Sequence, residues 1–402
     1  MNPVFDQVGA SLLRAVQDRK RLGDIDLGIG GPLLPLDMEP LEKGIAWVRE
    51  HGCPYSPNLG FPELREAIAA HFNYPCMSAL ENVCVTVGSQ EALYLALRTA
   101  LDPIRDELLI AEPCYPTYET ICRLEGIRYR TVALDPASGF APDANLVLAA
   151  IGQATSAVLI CSPNNPTGRV WPRRELEILA RGLGTRRGRS MQVIWDEVHR
   201  ELCYTQEPYT SIAEIYPNTW VVNSFSKSHA LPGLRVGWLI APKDAVERVQ
   251  KFHHLLVTSP DTISQRAAIE IFCNPDSFAL QRTKYRARLS ELHEILRECE
   301  LEHVPVDGTF FCMLKLPEAF AADSVAAALW LLEEAHVVTM PGRAFGACAE
   351  GWARTNWAGE PEQFRQGYRR LKLYLAHGRS FGTACVRQPA ASVLSELAGY
   401  AA

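Results

Sequence analysis

The 402-residue sequence has no stretch approaching the ~18 unbroken apolar residues that a membrane span requires. It also lacks a basic excess: 40 lysines and arginines stand against 46 aspartates and glutamates, a formal charge of −6. No cation-rich face is thereby offered to nucleic acid or anionic lipid, and a small molecule is the natural partner. The first twenty residues mix charge into an apolar pattern, without the basic start, apolar middle and small-residue cleavage site of a secretory signal. A cytoplasmic location is expected. The 12 cysteines include no C-x-x-C pair and no paired spacing of a zinc site. Cys84 in NVCVTV and Cys161 in VLICSP lie in apolar runs, where a thiol acts as a small buried hydrophobe, so reduced structural cysteines are expected. Internal repeats and low-complexity tracts are absent.

Apolar runs of strand length alternate with segments of helical period. ENVCVTVG (81–88) precedes SQEALYLALRTAL (89–101), and ELLIAEP (107–113) precedes TYETICRLEG (117–126). TSAVLICSP (155–163) leads to RRELEILARGL (173–183), then to MQVIWDE, TWVVNSF and RVGWLIAP, ending at residue 242. This alternation predicts an α/β fold, an open and mostly parallel sheet covered by helices. Ligands of such sheets sit beyond the carboxyl ends of the strands. From about residue 281 a long amphipathic helix and short apolar runs predict a smaller α+β domain. The expected division is a large domain over 43–285 and a small one over 1–42 and 286–380, with a tail at 381–402 that has no assigned role. Arg181–Ser190, rich in Gly and Arg, reads as a solvated loop.

Chemistry-bearing residues fall at the strand ends. Lys227, in NSFSKSHALPGLRVGW, follows an apolar run; burial there disfavours its charged form and makes the amine nucleophilic. Alone, it is compatible with a surface loop. Ser224 three residues earlier and Arg235 eight residues later supply a hydroxyl and a guanidinium suited to a phosphate. Asn165, in SPNNPTG, stands in a dense turn just past a strand and can donate from its amide. Asp196 ends another apolar strand, where a carboxylate needs a cationic partner such as a protonated pyridine nitrogen or else caps the next turn. Gly88 and Ser89 lie at a strand–helix junction, an anion site in principle. Tyr115 can stack on an aromatic ring or simply pack.

In combination and in order, YSPNLGFPELREAIA, VTVGSQEAL, SPNNPTG, DE-x-H, SFSKSHALPGLRVG and WARTNWA resemble the class I/II aminotransferases, the aspartate-aminotransferase-like group of fold type I, from about Gly28 to Leu373. The resemblance implies an aminotransferase using pyridoxal 5′-phosphate, with Lys227 as the Schiff-base lysine and proton shuttle. It implies Asp196 at the pyridine nitrogen, Asn165 at the phenolic oxygen and Tyr115 stacked on the ring. Gly88, Ser89, Gln90, Ser224 and Arg235 resemble the phosphate cradle. Tyr55 resembles the tyrosine given to the neighbouring subunit's phosphate, which implies a homodimer. Arg354 resembles the clamp on the substrate α-carboxylate, with Gly30 approaching the same group.

One departure is His199, where the group usually has tyrosine; an imidazole can also donate to the phenolate but titrates near neutrality. WDEVHREL also resembles carbon–sulfur β-lyases, so a lyase stays open, as do an oxidase, a decarboxylase or a racemase on the same scaffold. A DNA-binding regulator is disfavoured, since no basic helix-turn-helix precedes residue 28 or follows 373. The side-chain pocket is expected partly from Ile29, Leu33 and Leu34, which read equally well as core, and partly from the other subunit, with Trp352 and Trp357 either lining it or, the favoured reading, packing the small domain.

Overall fold

The computed structural model describes residues 9–185 and 190–376. The chain opens with α1 (Gly9–Asp18), β1 (Ile25–Asp26), α2 (Glu39–His51) and α3 (Pro62–Phe72). Next come β2 (Val83–Val87), α4 (Gly88–Ala100), β3 (Glu107–Glu112), α5 (Thr117–Leu124), β4 (Arg128–Ala133) and α6 (Ala144–Ala150). They are followed by β5 (Thr155–Cys161), α7 (Arg173–Gly184), β6 (Gln192–Asp196), β7 (Thr219–Ser224), the short α8 (Phe225–Ser228) and β8 (Val236–Ile240). Helices α9 (Lys243–Val257), α10 (Thr262–Cys273) and α11 (Ser277–Cys299) lead to β9 (Phe311–Lys315), α12 (Glu318–Ala321) and α13 (Ser324–Ala335). Strands β10 (Val337–Val338), β11 (Met340–Pro341) and β12 (Trp352–Asn356) precede α14 (Pro361–Ala376).

Among the described residues the main sheet has seven strands in the order β2-β8-β7-β6-β5-β3-β4. Neighbours pair in parallel except β8, which runs antiparallel to both β2 and β7. Both faces are buried, which is why the strands read as continuous apolar runs. Leu108 and Ile110 of β3, with Ala157 and Leu159 of β5, face one core; Leu109, Val158 and Ile160 face the opposite one, joined by Trp195. Strand β4, RYRTVA, was not anticipated. It is an edge strand with Val132 its one buried residue, so it carries no apolar run.

Strands β11, β12 and β9 form a separate antiparallel sheet, and β1 pairs in parallel with β10. Ile25 and Leu27 thereby join the cluster of Tyr285, Phe310, Phe311 and Trp357, so the N-terminal segment shares a core with the C-terminal third. Helix α11 is continuous through 285 and 286, where the sequence suggested a division. The expected loop at Arg181–Ser190 begins as helix, since α7 extends to Gly184; 186–189 lie outside the described residues, as do 377–402, including the tail.

Candidate active site

A cavity of about 640 Å³ opens where the strand ends of the main sheet meet the N-terminal segment and β12. Asn165 follows β5, Asp196 ends β6, and Lys227 sits on α8 just beyond β7; all three line it. Arg235 precedes β8 instead of following it. Because β8 alone is reversed, its amino end lies on the edge that holds the carboxyl ends of its neighbours.

Lys227 Nζ donates to Gly30 O at 2.6 Å. Burial, then Arg354, pushes the amine down to about 8, although Asp196 pulls the other way. Tyr285 donates its hydroxyl to Lys227 O at 2.5 Å and anchors this backbone. Asp196 accepts from Tyr118 Oη at 2.7 Å and from Val198 N at 3.2 Å. Desolvation raises its carboxyl to about 6, and the Tyr118 hydroxyl restrains the rise. Tyr115 lines the cavity and meets Tyr118 edge-on, with ring centroids 5.7 Å apart.

Arg354 is only 3% exposed. Its Nη1 donates to Asn165 Oδ1 at 3.0 Å and its Nη2 to Gly28 O at 2.7 Å, while Nε has no partner. Phe311 and Phe345 lie within cation–π reach of the guanidinium, 4.2 and 4.9 Å from its carbon. Burial pushes this group down to about 9, which leaves it charged at neutral pH. With Oδ1 of Asn165 committed to Arg354, the Nδ2 amide is left to donate.

Gly88 opens α4 at φ +74, and a Cβ there would lie 2.4 Å from Arg235 Nη2. Arg235 is itself held by Pro232 O (2.8 Å) and Val87 O (3.2 Å). Gly237 is equally constrained, since a Cβ would fall 2.4 Å from Gly88 C and 2.5 Å from Ser89 N. The helix start, Ser89, Gln90 and Arg235 therefore form one tight anion cradle at the cavity wall.

Three sequence-derived positions lie off the wall. Gly88 is behind Arg235; Ser224 is fully buried with its Oγ 3.4 Å from Ser89 Oγ, and Ser226 faces the cavity instead; Tyr55 is 86% exposed on the outer surface. Of the expected side-chain pocket only Ile29 lines the cavity. Leu34 packs on the cluster of Tyr285, Phe310 and Trp357, and Leu33 is 49% exposed. Trp352 packs against Phe140 and Trp357 against Tyr204, so neither lines the cavity. Sequence reasoning missed Tyr118, Phe311, Met340 and the α1 residues Leu13, Arg14 and Gln17. Only Tyr118 had a local signal, one helical turn after Tyr115.

A family model described as aminotransferase class I and II matches residues 51–371. The chain belongs to this family. A probable N-acetyl-LL-diaminopimelate aminotransferase of Bacillus subtilis is 34% identical to it over 340 residues, 83% of this chain and 84% of that one. An aspartate/prephenate aminotransferase of Thermus thermophilus is 34% identical over 327 residues, 80% of this chain and 83% of that one. The solved aspartate aminotransferase from Thermus thermophilus with maleate superposes with a TM-score of 0.82 at 31% identity, covering 91% of this chain and 96% of that one. The fold is thus fold type I, and the protein is a pyridoxal-phosphate-dependent aminotransferase.

The residues present fit that cofactor. The anion cradle suits its phosphate, and Asp196 suits its ring nitrogen. His199 supplies an independent sign: it is buried, and neither ring nitrogen has a hydrogen-bond partner; the Pro163 carbonyl falls outside bonding geometry. Burial, then the Lys227 charge, holds the imidazole well below its usual range, hence neutral. A neutral ring on the cavity wall has one N–H to give to an acceptor placed there.

Proposed function

We propose that this aminotransferase carries pyridoxal 5′-phosphate on Lys227 and moves the amino group of an α-amino acid to an α-keto acid. The convergence of Lys227, Asp196, Asn165 and Arg354 on one cavity carries the reading. Ser89, Gln90 and Arg235, with Gly88 and Ser224 behind them, are assigned to the phosphate; Tyr115 is assigned to the ring face. Asn165 Nδ2 and the neutral His199 are assigned to the phenolic oxygen.

When bound, the cofactor supplies an electrophilic carbon and an electron-withdrawing ring. Asp196, ionised opposite the ring nitrogen, keeps that nitrogen protonated. Arg354 receives the substrate carboxylate through the Nη N–H groups that Asn165 Oδ1 and Gly28 O leave free, a two-pronged contact that fixes the α-carbon. Gly30, two residues beyond the Gly28 carbonyl bonded to Arg354, lines the same cavity. Once the substrate amine has displaced it, Lys227 Nζ, pushed down to about 8, would be the base that takes the substrate α-proton and holds it for return, so that a single group would serve both transfers. The choice of side chain falls to Ile29, Met340 and the α1 residues on the wall.

The division into 43–285 and 1–42 with 286–380 is proposed on the separate cores. A homodimer is proposed with Tyr55 reaching the partner's phosphate. Tyr55 is held out by Thr262 Oγ1 donating to Pro54 O (2.9 Å) and Asn58 Nδ2 donating to Thr258 O (2.7 Å), beside the exposed Leu255 and Leu256. A cytoplasmic location is proposed on the exposed thiols Cys53, Cys76 and Cys273, which suit a reducing compartment. Among the described residues no helix is long and apolar enough to cross a membrane.

Borohydride reduction of the cofactor-loaded protein, followed by peptide mass spectrometry, is expected to place the adduct on Lys227. An amino-acid panel should convert the bound cofactor to its aminated form and yield keto acid. An adduct on another lysine refutes the assignment.

A further inference from the structure

Asp26 lies outside every motif of the sequence, yet it roots the segment that closes the cavity. Its Oδ1 accepts from the backbone N–H groups of Gly28 (2.9 Å) and Ile29 (3.0 Å), so one carboxylate oxygen folds the chain into a tight turn. The same carboxylate ties in α1 and its extension, through Gln17 Nε2 at 3.4 Å and Lys20 Nζ at 2.9 Å. The carbonyls of this turn then point at the site. Gly28 O accepts from Arg354 Nη2 at 2.7 Å and Gly30 O from Lys227 Nζ at 2.6 Å. Asn356 Nδ2 donates to Ile29 O and Gly31 O, both at 2.8 Å, and pins the far side. Gly28 lies against the side chains of Met340 and Val338, whose Cε and Cγ1 would be 2.4 and 2.8 Å from a Cβ there.

We infer that Asp26 is a positioning residue of the transamination site: by fixing the Gly28–Gly31 turn it orients the Arg354 guanidinium for the substrate carboxylate and gives the Lys227 amine a fixed backbone acceptor. The inference rests on the roles proposed for Arg354 and Lys227. Its physical logic is that both hydrogen-bond acceptors on Arg354 are neutral, a carbonyl and an amide oxygen. They aim the fork without neutralising it, whereas a carboxylate bonded directly to Arg354 would compete with the substrate for the same donors. Asp26 sets the geometry through the backbone and leaves the cation available.

The test compares Asp26→Ala with Asp26→Asn in the cofactor-loaded enzyme. The probe is acetate, a carboxylate with no side chain to be selected, and its dissociation constant is read from the change in cofactor absorbance. Asp26→Ala is expected to raise that constant and the KM for the amino donor by about tenfold, about 1.4 kcal/mol, with a smaller change in kcat. Asp26→Asn keeps an oxygen for both N–H groups and should stay near the parent. The inference is overturned if Asp26→Ala binds acetate as the parent does and loses only thermal stability. It is overturned equally if Asp26→Asn is as impaired as Asp26→Ala, since the turn would then not be what matters. Lys227 labelling in the same preparations separates the two levels: an unlabelled parent sinks the cofactor assignment, while a labelled Asp26→Ala with normal acetate binding sinks this one.

Discussion

Replacing Tyr118 by Phe removes one hydroxyl from Asp196, the buried carboxylate proposed as the cofactor's counter-ion, and should move a titration that can be measured directly. Tyr118 Oη donates to Asp196 Oδ2 at 2.7 Å, and both residues are buried. A hydrogen bond to a charged group contributes about 1.5–3 kcal/mol, and one pH unit corresponds to about 1.36 kcal/mol, so the loss is worth about one to two pH units. Asp196 titrates at about 6 because desolvation outweighs this bond and that from Val198. Without the hydroxyl the carboxyl rises further, to about 7 or 8. The sign follows from linkage. A protonated ring nitrogen pairs with the ionised carboxylate, so cofactor affinity is full above the carboxyl's own titration and falls as pH drops through it. The parent should lose affinity below about pH 6, and Tyr118→Phe should already lose it near neutrality. Cofactor titrations of the apoprotein across the acid and neutral range, followed by absorbance, give both midpoints. Coincident midpoints would refute the claim that Tyr118 holds Asp196 ionised.

Lys227→Ala should abolish turnover while the circular dichroism spectrum and thermal midpoint stay near those of the parent; turnover at normal rates would exclude Lys227 as the proton shuttle. Gly237→Ala places a Cβ 2.4 Å from Gly88 C and 2.5 Å from Ser89 N, backbone atoms that cannot rotate away. It should cost about 1–3 kcal/mol of stability and weaken cofactor binding, as measured by denaturant unfolding and cofactor titration. Arg354→Lys keeps the charge but loses the two-pronged fork and the stacking on Phe311; KM for the amino donor should rise by about tenfold to a hundredfold, with kcat changed less, in steady-state kinetics.

The main sheet was legible because burial on both faces makes its strands unbroken apolar runs, and because site residues such as Asp196 and Asn165 follow directly on those runs. Strand β4 was not, since an edge strand exposes one side and RYRTVA carries its arginines there. The reversal of β8 leaves no trace in composition, so Arg235 could be assigned to the phosphate but not placed at an amino end. Leu33 and Leu34 show the limit of apolar character as a guide. Both read as pocket wall or as core, and only the fold decides: Leu33 is exposed while Leu34 packs on the core of Phe310 and Trp357. Tyr118 meets Asp196 across 78 residues, and Gly28 meets Arg354 across 326, so neither pairing has a local signature.

What the sequence reveals and what it hides divide along a chemical line. An amine, a guanidinium and a carboxylate that act on a ligand must be those residue types, and they can be recognised as such. The groups that aim them are mostly backbone: Gly28 O on Arg354, Gly30 O on Lys227, Val198 N on Asp196. A carbonyl is supplied by any residue, so only the fold of the turn specifies it. The arrangement also has an electrostatic consequence. Lys227, Arg235 and Arg354 line a cavity whose one buried carboxylate, Asp196, lies where the cofactor's cationic ring nitrogen is assigned. Neutral acceptors orient all three cations without cancelling them, which leaves Arg235 and Arg354 free for the proposed ligands, a phosphate ester and a substrate carboxylate. A protein that satisfied those cations internally would be easier to fold and would have nothing left with which to hold its substrate.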